Sequence, residues 1–205
     1  KMTCENGDIY EGKWKKGEQT KGKMTYKNGE TYEGEWAEGK KHGKGKMTYE
    51  NGDIYEGEWE KGYQKKGKMT YTNGDIYEGN WKKGKMTKGK MTYKNGEIYE
   101  GEWEKGERTK GKMIYKNGDI YDGLWEKGEM TKGKMTYKNK EIYEGEWTEG
   151  KKHGKGKMTY ENGDIYESIW ENGEIEEQPE GKIAYKNGDI YEGSWENQNK
   201  EGFGK

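Results

Sequence analysis

Along the chain, short runs place an apolar residue or glycine at every second position and a charged or polar residue between. In Tyr55-Glu56-Gly57-Glu58-Trp59, the Tyr, Gly and Trp share one face of an extended strand and the two Glu share the other. In Gly67-Lys68-Met69-Thr70-Tyr71, Gly, Met and Tyr share a face, with Lys and Thr opposite. Both runs are short, aromatic and glycine-bearing, which predicts strands. The pair recurs along the whole chain, as the tryptophans at 14, 36, 59, 81, 103, 125, 147, 170 and 195 mark with steps of 22, 23, 22, 22, 22, 22, 23 and 25 residues. A fixed period in this range signals stacked repeats, each too small to bury its apolar face alone. The fullest unit is Tyr32 to Glu56, YEGEWAEGKKHGKGKMTYENGDIYE.

The two runs of a unit are expected to pair as an antiparallel hairpin across a glycine-bounded polar loop such as Gly84 to Gly89. That places Tyr55 opposite Tyr71, Gly57 opposite Met69, Trp59 opposite Gly67 and, on the reverse face, Glu58 opposite Lys68. Asn73-Gly74 is expected to lead into the next unit through a three-residue loop, Thr72-Asn73-Gly74, with the glycine left-handed and Met69 opposite Tyr77. The extra residue of the 23-residue units, as in Gly39 to Gly45, is assigned to the loop. The predicted fold class is all-β: a single-layer antiparallel meander of about nine consecutive β-hairpin repeats of 22 to 23 residues. Sheet twist would make it an elongated twisted ribbon or trough, with nothing covering its aromatic face.

Composition sharpens this picture. Only 26% of residues are hydrophobic and 39% are charged, a balance that alone suggests disorder, yet the 9 Trp, 18 Tyr and 36 Gly keep strict register. The net charge of −1 provides no global attraction to nucleic acid. The only cysteine, Cys4, stands where later copies have Tyr and can form no internal disulfide, which suits a reducing, cytoplasmic compartment. No apolar run is long enough for a membrane-spanning helix. The chain starts and stops in mid-repeat, so 1–205 reads as one continuous array cut from something longer. Residues 38 to 56 recur unchanged at 149 to 167, which points to duplication of a five-unit block with an offset of 111. Departures follow: Lys140 replaces the turn glycine, Ser168-Ile169 interrupts the YEG-x-W run, and a longer loop from Glu174 to Gly181 holds the only proline. Residues 171–205 form a divergent, acidic end with nine acidic and four basic residues.

The unit YEGEWxEGKKHGKGKMTYxNGDxYEG resembles the MORN (membrane occupation and recognition nexus) repeat over essentially the whole chain. The resemblance implies the same hairpin ribbon. It also implies scaffolding roles in cytoskeletal, ciliary or membrane-proximal assemblies, dimerisation, and binding of partner peptides along the aromatic trough.

As a partner-binding groove the chain offers Tyr32, Trp36, Tyr55, Trp59, Met69, Tyr77, Trp81, Met91, Tyr99, Trp103, Tyr121 and Trp125, aromatic anchors with adaptable methionines. The same residues are also the only core this fold can have. Lys82, Lys83, Lys85 and Lys88 are candidate ligands for anionic lipid head groups, against a plain reading as part of a solvated Glu/Lys face. His42 and His153 have no second ligand beside them, and Gly43-Lys44-Gly45 lacks the following helix of a phosphate loop, so neither metal binding, a cofactor nor catalysis is expected. The leading expectation is a non-enzymatic scaffold that binds a peptide or self-associates. A lipid-tethering module and a choline-type ligand-binding repeat are the alternatives.

Overall fold

A computed structural model describes residues 1–175, 180–196 and 199–201, with backbone alone at 180, 194–196 and 199–201. The elongated loop expected around the proline falls at 176–179, and the side chain of Trp195 is likewise outside the described residues. All regular structure among the described residues is β-strand, and every pairing is antiparallel. The chain divides into two compact units, 1–106 and 107–205.

The first unit contains β1 (Met2–Thr3), β2 (Ile9–Lys15), β3 (Glu18–Thr25), β4 (Thr31–Ala37), β5 (Lys40–Thr48), β6 (Ile54–Glu60), β7 (Tyr63–Thr70), β8 (Ile76–Lys82), β9 (Lys85–Thr92) and β10 (Ile98–Glu104). Each pairs with the next, so the unit is a plain meander. The second unit contains β11 (Glu107–Ile114), β12 (Ile120–Glu126), β13 (Glu129–Thr136), β14 (Ile142–Thr148), β15 (Lys151–Thr159), β16 (Ile165–Glu171), β17 (Glu174–Ile175), β18 (Glu180–Ala184), β19 (Ile190–Glu196) and β20 (Asn199–Glu201). It repeats the meander, except that β17 and β18 together form the partner of β16.

The connection at Asn-Gly matches the three-residue loop read from the sequence. Met69 lies opposite Tyr77, the Tyr71 amide donates to the Asp75 carbonyl at 2.9 Å, and Gly74 takes φ +96°. The other connection differs. Residues expected as a loop, Lys85 to Gly89, belong to β9, and the chain reverses on just Lys83-Gly84 at φ 49° and 76°. Positive φ at both central residues is the type I′ geometry, whose twist suits a hairpin. The same turn recurs at Glu38-Gly39 and Lys61-Gly62.

A tighter turn moves the register by two. Tyr55 faces Met69, Gly57 faces Gly67 and Trp59 faces Gln64, with a bulge between Glu58 and Trp59; on the back, Glu56 meets Lys68 and Glu58 meets Lys66. In the 23-residue units the extra residue enlarges this bulge instead of lengthening a loop. Gly34 pairs with Gly45 but Glu35 with His42, and Gly43 takes φ +56° within β5. His42 and Gly43-Lys44-Gly45, expected as loop, are therefore strand residues. The ion pairs on the back, such as Lys46 to Glu56 at 2.8 Å, join exposed side chains and contribute little stability each.

The aromatic face covers itself. Tyr10, Tyr32, Tyr55, Tyr77, Tyr121 and Tyr143 each lie over a glycine pair of adjacent strands and donate the hydroxyl to the carbonyl three residues on, as Tyr55 does to Glu58 at 3.0 Å. A Cβ built on Gly57 would stand 2.7 Å from that hydroxyl, so the pair must be glycine for the ring to lie flat. Tyr10, Tyr32, Tyr55, Tyr77, Tyr121 and Tyr143 also meet two tryptophans each, edge to face: Tyr55 contacts Trp59 of its own repeat at 5.1 Å and Trp81 of the next at 5.7 Å. This interleaving supplies most of the apolar burial in a sheet that has no second layer.

Candidate partner-binding face

The burial follows from that packing. Tyr32, Tyr55, Tyr77, Tyr99 and Tyr121 are 0% exposed, Trp36, Trp59, Trp81, Trp103 and Trp125 are 4–8% exposed, and Met69 and Met91 are 6% exposed. The twelve residues read as a groove from the sequence are thus packed floor, ten of them in the first unit and two, Tyr121 and Trp125, in the second. The expectation that a one-layer sheet leaves one side of these aromatics open is corrected: within each unit the rings cover one another.

Above this floor is a layer that alternation alone does not single out. It consists of the KMTY tyrosines, half-buried at Tyr26, Tyr49, Tyr71, Tyr93, Tyr115, Tyr137 and Tyr160, and of the residue opposite each tryptophan. That second position varies where everything else repeats: Gln19, Lys41, Gln64, Met86, Met130, Lys152 and Ile175 face Trp14, Trp36, Trp59, Trp81, Trp125, Trp147 and Trp170. Lys41, Gln64, Met86, Met130 and Lys152 each reach back to the tyrosine fifteen residues earlier. Gln64 donates to the Tyr49 hydroxyl at 2.6 Å, the Tyr71 hydroxyl lies 3.7 Å from the Met86 sulfur, and Tyr115 lies 3.4 Å from that of Met130.

Where the residue is cationic it rests on aromatic rings. The Lys41 ammonium is 5.0 Å from the Trp59 ring centroid, 5.2 Å from that of Tyr26 and 5.5 Å from that of Tyr32. Its duplicate, Lys152, is 4.5 Å from Trp170, and the Arg108 guanidinium is 4.2 Å from Trp125. Burial pulls the pKa of Lys41 below the ordinary lysine value, partly opposed by the Glu30 carboxylate. Burial, reinforced by Glu30, Tyr71 and Asp53, pushes the Tyr49 hydroxyl up to about 12. These tyrosines are therefore neutral at physiological pH and serve as apolar surface with one polar handle.

In the first unit the layer opens into a groove lined by Tyr49, Gln64, Met69, Tyr71 and Trp81, with Glu30, Glu50, Asn51, Asp53 and Gly84 around it. Met69 and Trp81 were among the groove residues named from sequence, and alternation placed Tyr49 and Tyr71 on the same face; Gln64 was not singled out. The signal that could have found Gln64 is its variability within an otherwise invariant frame. The corresponding hollow of the second unit is lined by Glu141, Tyr160, Glu161, Asn162, Asp164 and Tyr166. There Ser168 occupies the glycine position facing Gly156, its buried hydroxyl has no hydrogen-bond partner, and the half-buried Tyr166 meets Tyr160 edge to face at 5.0 Å.

Lys82, Lys83, Lys85 and Lys88 are exposed at the β8–β9 hairpin, where Lys82 faces Lys85 and Lys88 lies between Asn80 and Glu102. The strand arrangement thus sets a carboxylate beside Lys88. Among the described residues no three His, Cys, Asp or Glu side chains converge as metal ligands would, and no helix is long and apolar enough to cross a membrane.

The MORN repeat family model matches residues 10–31, 32–54, 55–76, 77–98, 99–120, 143–165 and 191–205. The chain belongs to the MORN repeat family. Two MORN units go unmatched, 121–142 and 166–190, and these hold Lys140 and Ser168, the departures noted above. A comparison with curated protein sequences returned no match. Among solved structures, the array is similar to the TCP10 domain of Danio rerio CPAP, with 10% identity, a TM-score of 0.60, and coverage of 100% of this chain and 98% of that one. It is also similar to the TCP domain of Drosophila melanogaster SAS-4 (dCPAP), solved in complex with a proline-rich motif of Ana2 (dSTIL), with 14% identity, a TM-score of 0.52, and coverage of 75% and 85%. At these identities the likeness concerns the fold.

Proposed function

We propose that this MORN array is a non-enzymatic scaffold that holds an extended partner peptide along its aromatic face. In the first unit the floor of that groove is Tyr32, Trp36, Tyr55, Trp59, Met69, Tyr77, Trp81, Met91, Tyr99 and Trp103; the second unit has a floor of its own, to which Tyr121 and Trp125 belong. The observation that carries the reading is the half-buried tyrosine layer above a packed floor, which presents rigid amphipathic rings along a strand-built groove. Surfaces lined with aromatics in this way suit polyproline segments, whose ordering cost is low. The similarity to a domain solved with a proline-rich motif supports the same class of partner. A cytoplasmic setting, in which Cys4 stays a thiol, belongs to the proposal. Self-association loses part of its motive, because the rings already cover one another.

The test is calorimetric titration of the protein with a panel of proline-rich peptides, using the parent and Tyr49→Ser and Tyr71→Ser variants. Saturable binding that weakens in both variants is expected. Binding unaffected by either substitution, or saturable binding of choline in place of peptide, contradicts the proposal.

A further inference from the structure

Three cations of this chain sit in equivalent places. Lys41, Arg108 and Lys152 each lie over the tryptophan of the following repeat, Trp59, Trp125 and Trp170, at 5.0, 4.2 and 4.5 Å. The Lys41 seat is completed by Tyr26, Tyr32 and the sulfur of Met47, which lies 3.3 Å from the ammonium. One repeat further along, the same seat is built from Tyr49, Tyr55, Trp81 and Met69. Its own occupant is Gln64, shorter than lysine, uncharged, and tied by its amide to the Tyr49 hydroxyl at 2.6 Å. The open groove coincides with this seat, since Tyr49, Gln64, Met69 and Trp81 line it.

Other seats are filled from within: Met86 lies against Tyr71 and Met130 against Tyr115. At the start of the chain Cys4 leaves the Gln19 seat without its tyrosine wall. Charge completes the description. Glu30, Glu50 and Asp53 rim the groove, and Glu30 is near enough to shift both Lys41 and Tyr49.

We infer that the groove over Trp81 is a receptor for a lysine or arginine side chain of the partner peptide, which takes the place that Lys41, Arg108 and Lys152 fill from within elsewhere. This deepens the proposed function and rests on it. The cation is held between the faces of Trp81 and Tyr49 while Glu30 and Glu50 neutralise it. A Pro-rich segment carrying one basic residue is therefore preferred to an uncharged one.

The experiment uses the whole chain and two probes, a short oligoproline peptide with one central lysine and the same peptide with norleucine there. Isothermal titration should show the lysine peptide binding about tenfold more tightly to the parent. Gln64→Lys places an internal ammonium in the seat and should abolish that preference, so that the two peptides bind the variant with equal affinity. Glu30→Gln with Glu50→Gln, which alters rim carboxylates outside the packed floor, should cut the preference severalfold and provides the test if Gln64→Lys fails to fold. Equal affinity of the two peptides for the parent overturns the cation receptor and leaves peptide binding standing. Absence of binding by both overturns the receptor and the function together.

Discussion

Gly57→Ala is a direct probe of what holds this sheet together. The new Cβ would stand 2.7 Å from the Tyr55 hydroxyl and 2.5 Å from the Cα of Gly67, so Tyr55 must leave its slot. Ser168 shows the outcome within the same molecule: facing Gly156, it accompanies a Tyr166 that is half-buried on Tyr160, while Tyr55 is 0% exposed. Losing roughly half the burial of one aromatic ring costs about 1–1.5 kcal/mol. The hydroxyl bond to Glu58 adds about 1 kcal/mol, and the edge contacts to Trp59 and Trp81 about 0.5–1.5 kcal/mol each. Relief of the glycine's chain entropy returns about 0.5 kcal/mol, leaving a net loss of roughly 2.5–5 kcal/mol. Urea unfolding followed by tryptophan fluorescence measures it. A Gly57→Ala protein within about 0.5 kcal/mol of the parent would refute the reasoning.

Further outcomes follow from the same contacts. Ser168→Gly removes a buried hydroxyl without a partner and frees the slot for Tyr166; a stabilisation of about 1–2 kcal/mol is expected in the same unfolding assay. Lys83 holds φ 49° at the first centre of a type I′ turn, so Lys83→Asn should raise stability by about 0.5–1 kcal/mol, seen as a higher thermal midpoint. The Asp53 carboxylate accepts the backbone amide of Thr72 at 2.8 Å and its hydroxyl at 3.2 Å, so Asp53→Ala should cost about 1–2 kcal/mol. Tyr26 and Tyr49 have pKa values raised by burial from 10.0 to about 12, so the folded state keeps protons that the unfolded chain loses above pH 10. Their contribution is complete below pH 10 and declines through pH 12; alkaline unfolding beginning above pH 10, tracked by circular dichroism, is expected.

Alternation and period carried the strand assignment, because the two faces differ in chemistry at every second position. The Asn-Gly connection was legible too, since only a three-residue loop keeps Met69 and Tyr77 on one face. The other turn was not, because Lys61-Gly62 and Lys83-Gly84 lack asparagine and the glycines further on suggested a wide loop. From that one error came the register shift of two. It concealed the facing of Gly57 and Gly67, and with it the flat tyrosine that makes both glycines necessary. Burial was illegible for a different reason: Tyr55 is covered by Trp81, a contact between repeats that no single unit contains. The residues named from the sequence form the packed floor, and the open groove above it is lined in addition by Tyr49, Gln64 and Tyr71.

The most direct measurement is a titration of the indole N–H resonances of the intact protein with the oligoproline peptide carrying one lysine. The account predicts that the Trp81 resonance moves first and furthest, saturably, while amides of Glu56, Glu58, Lys66 and Lys68 on the opposite face stay in place. Shifts confined to that charged face, or no saturable shift at Trp81, would contradict it.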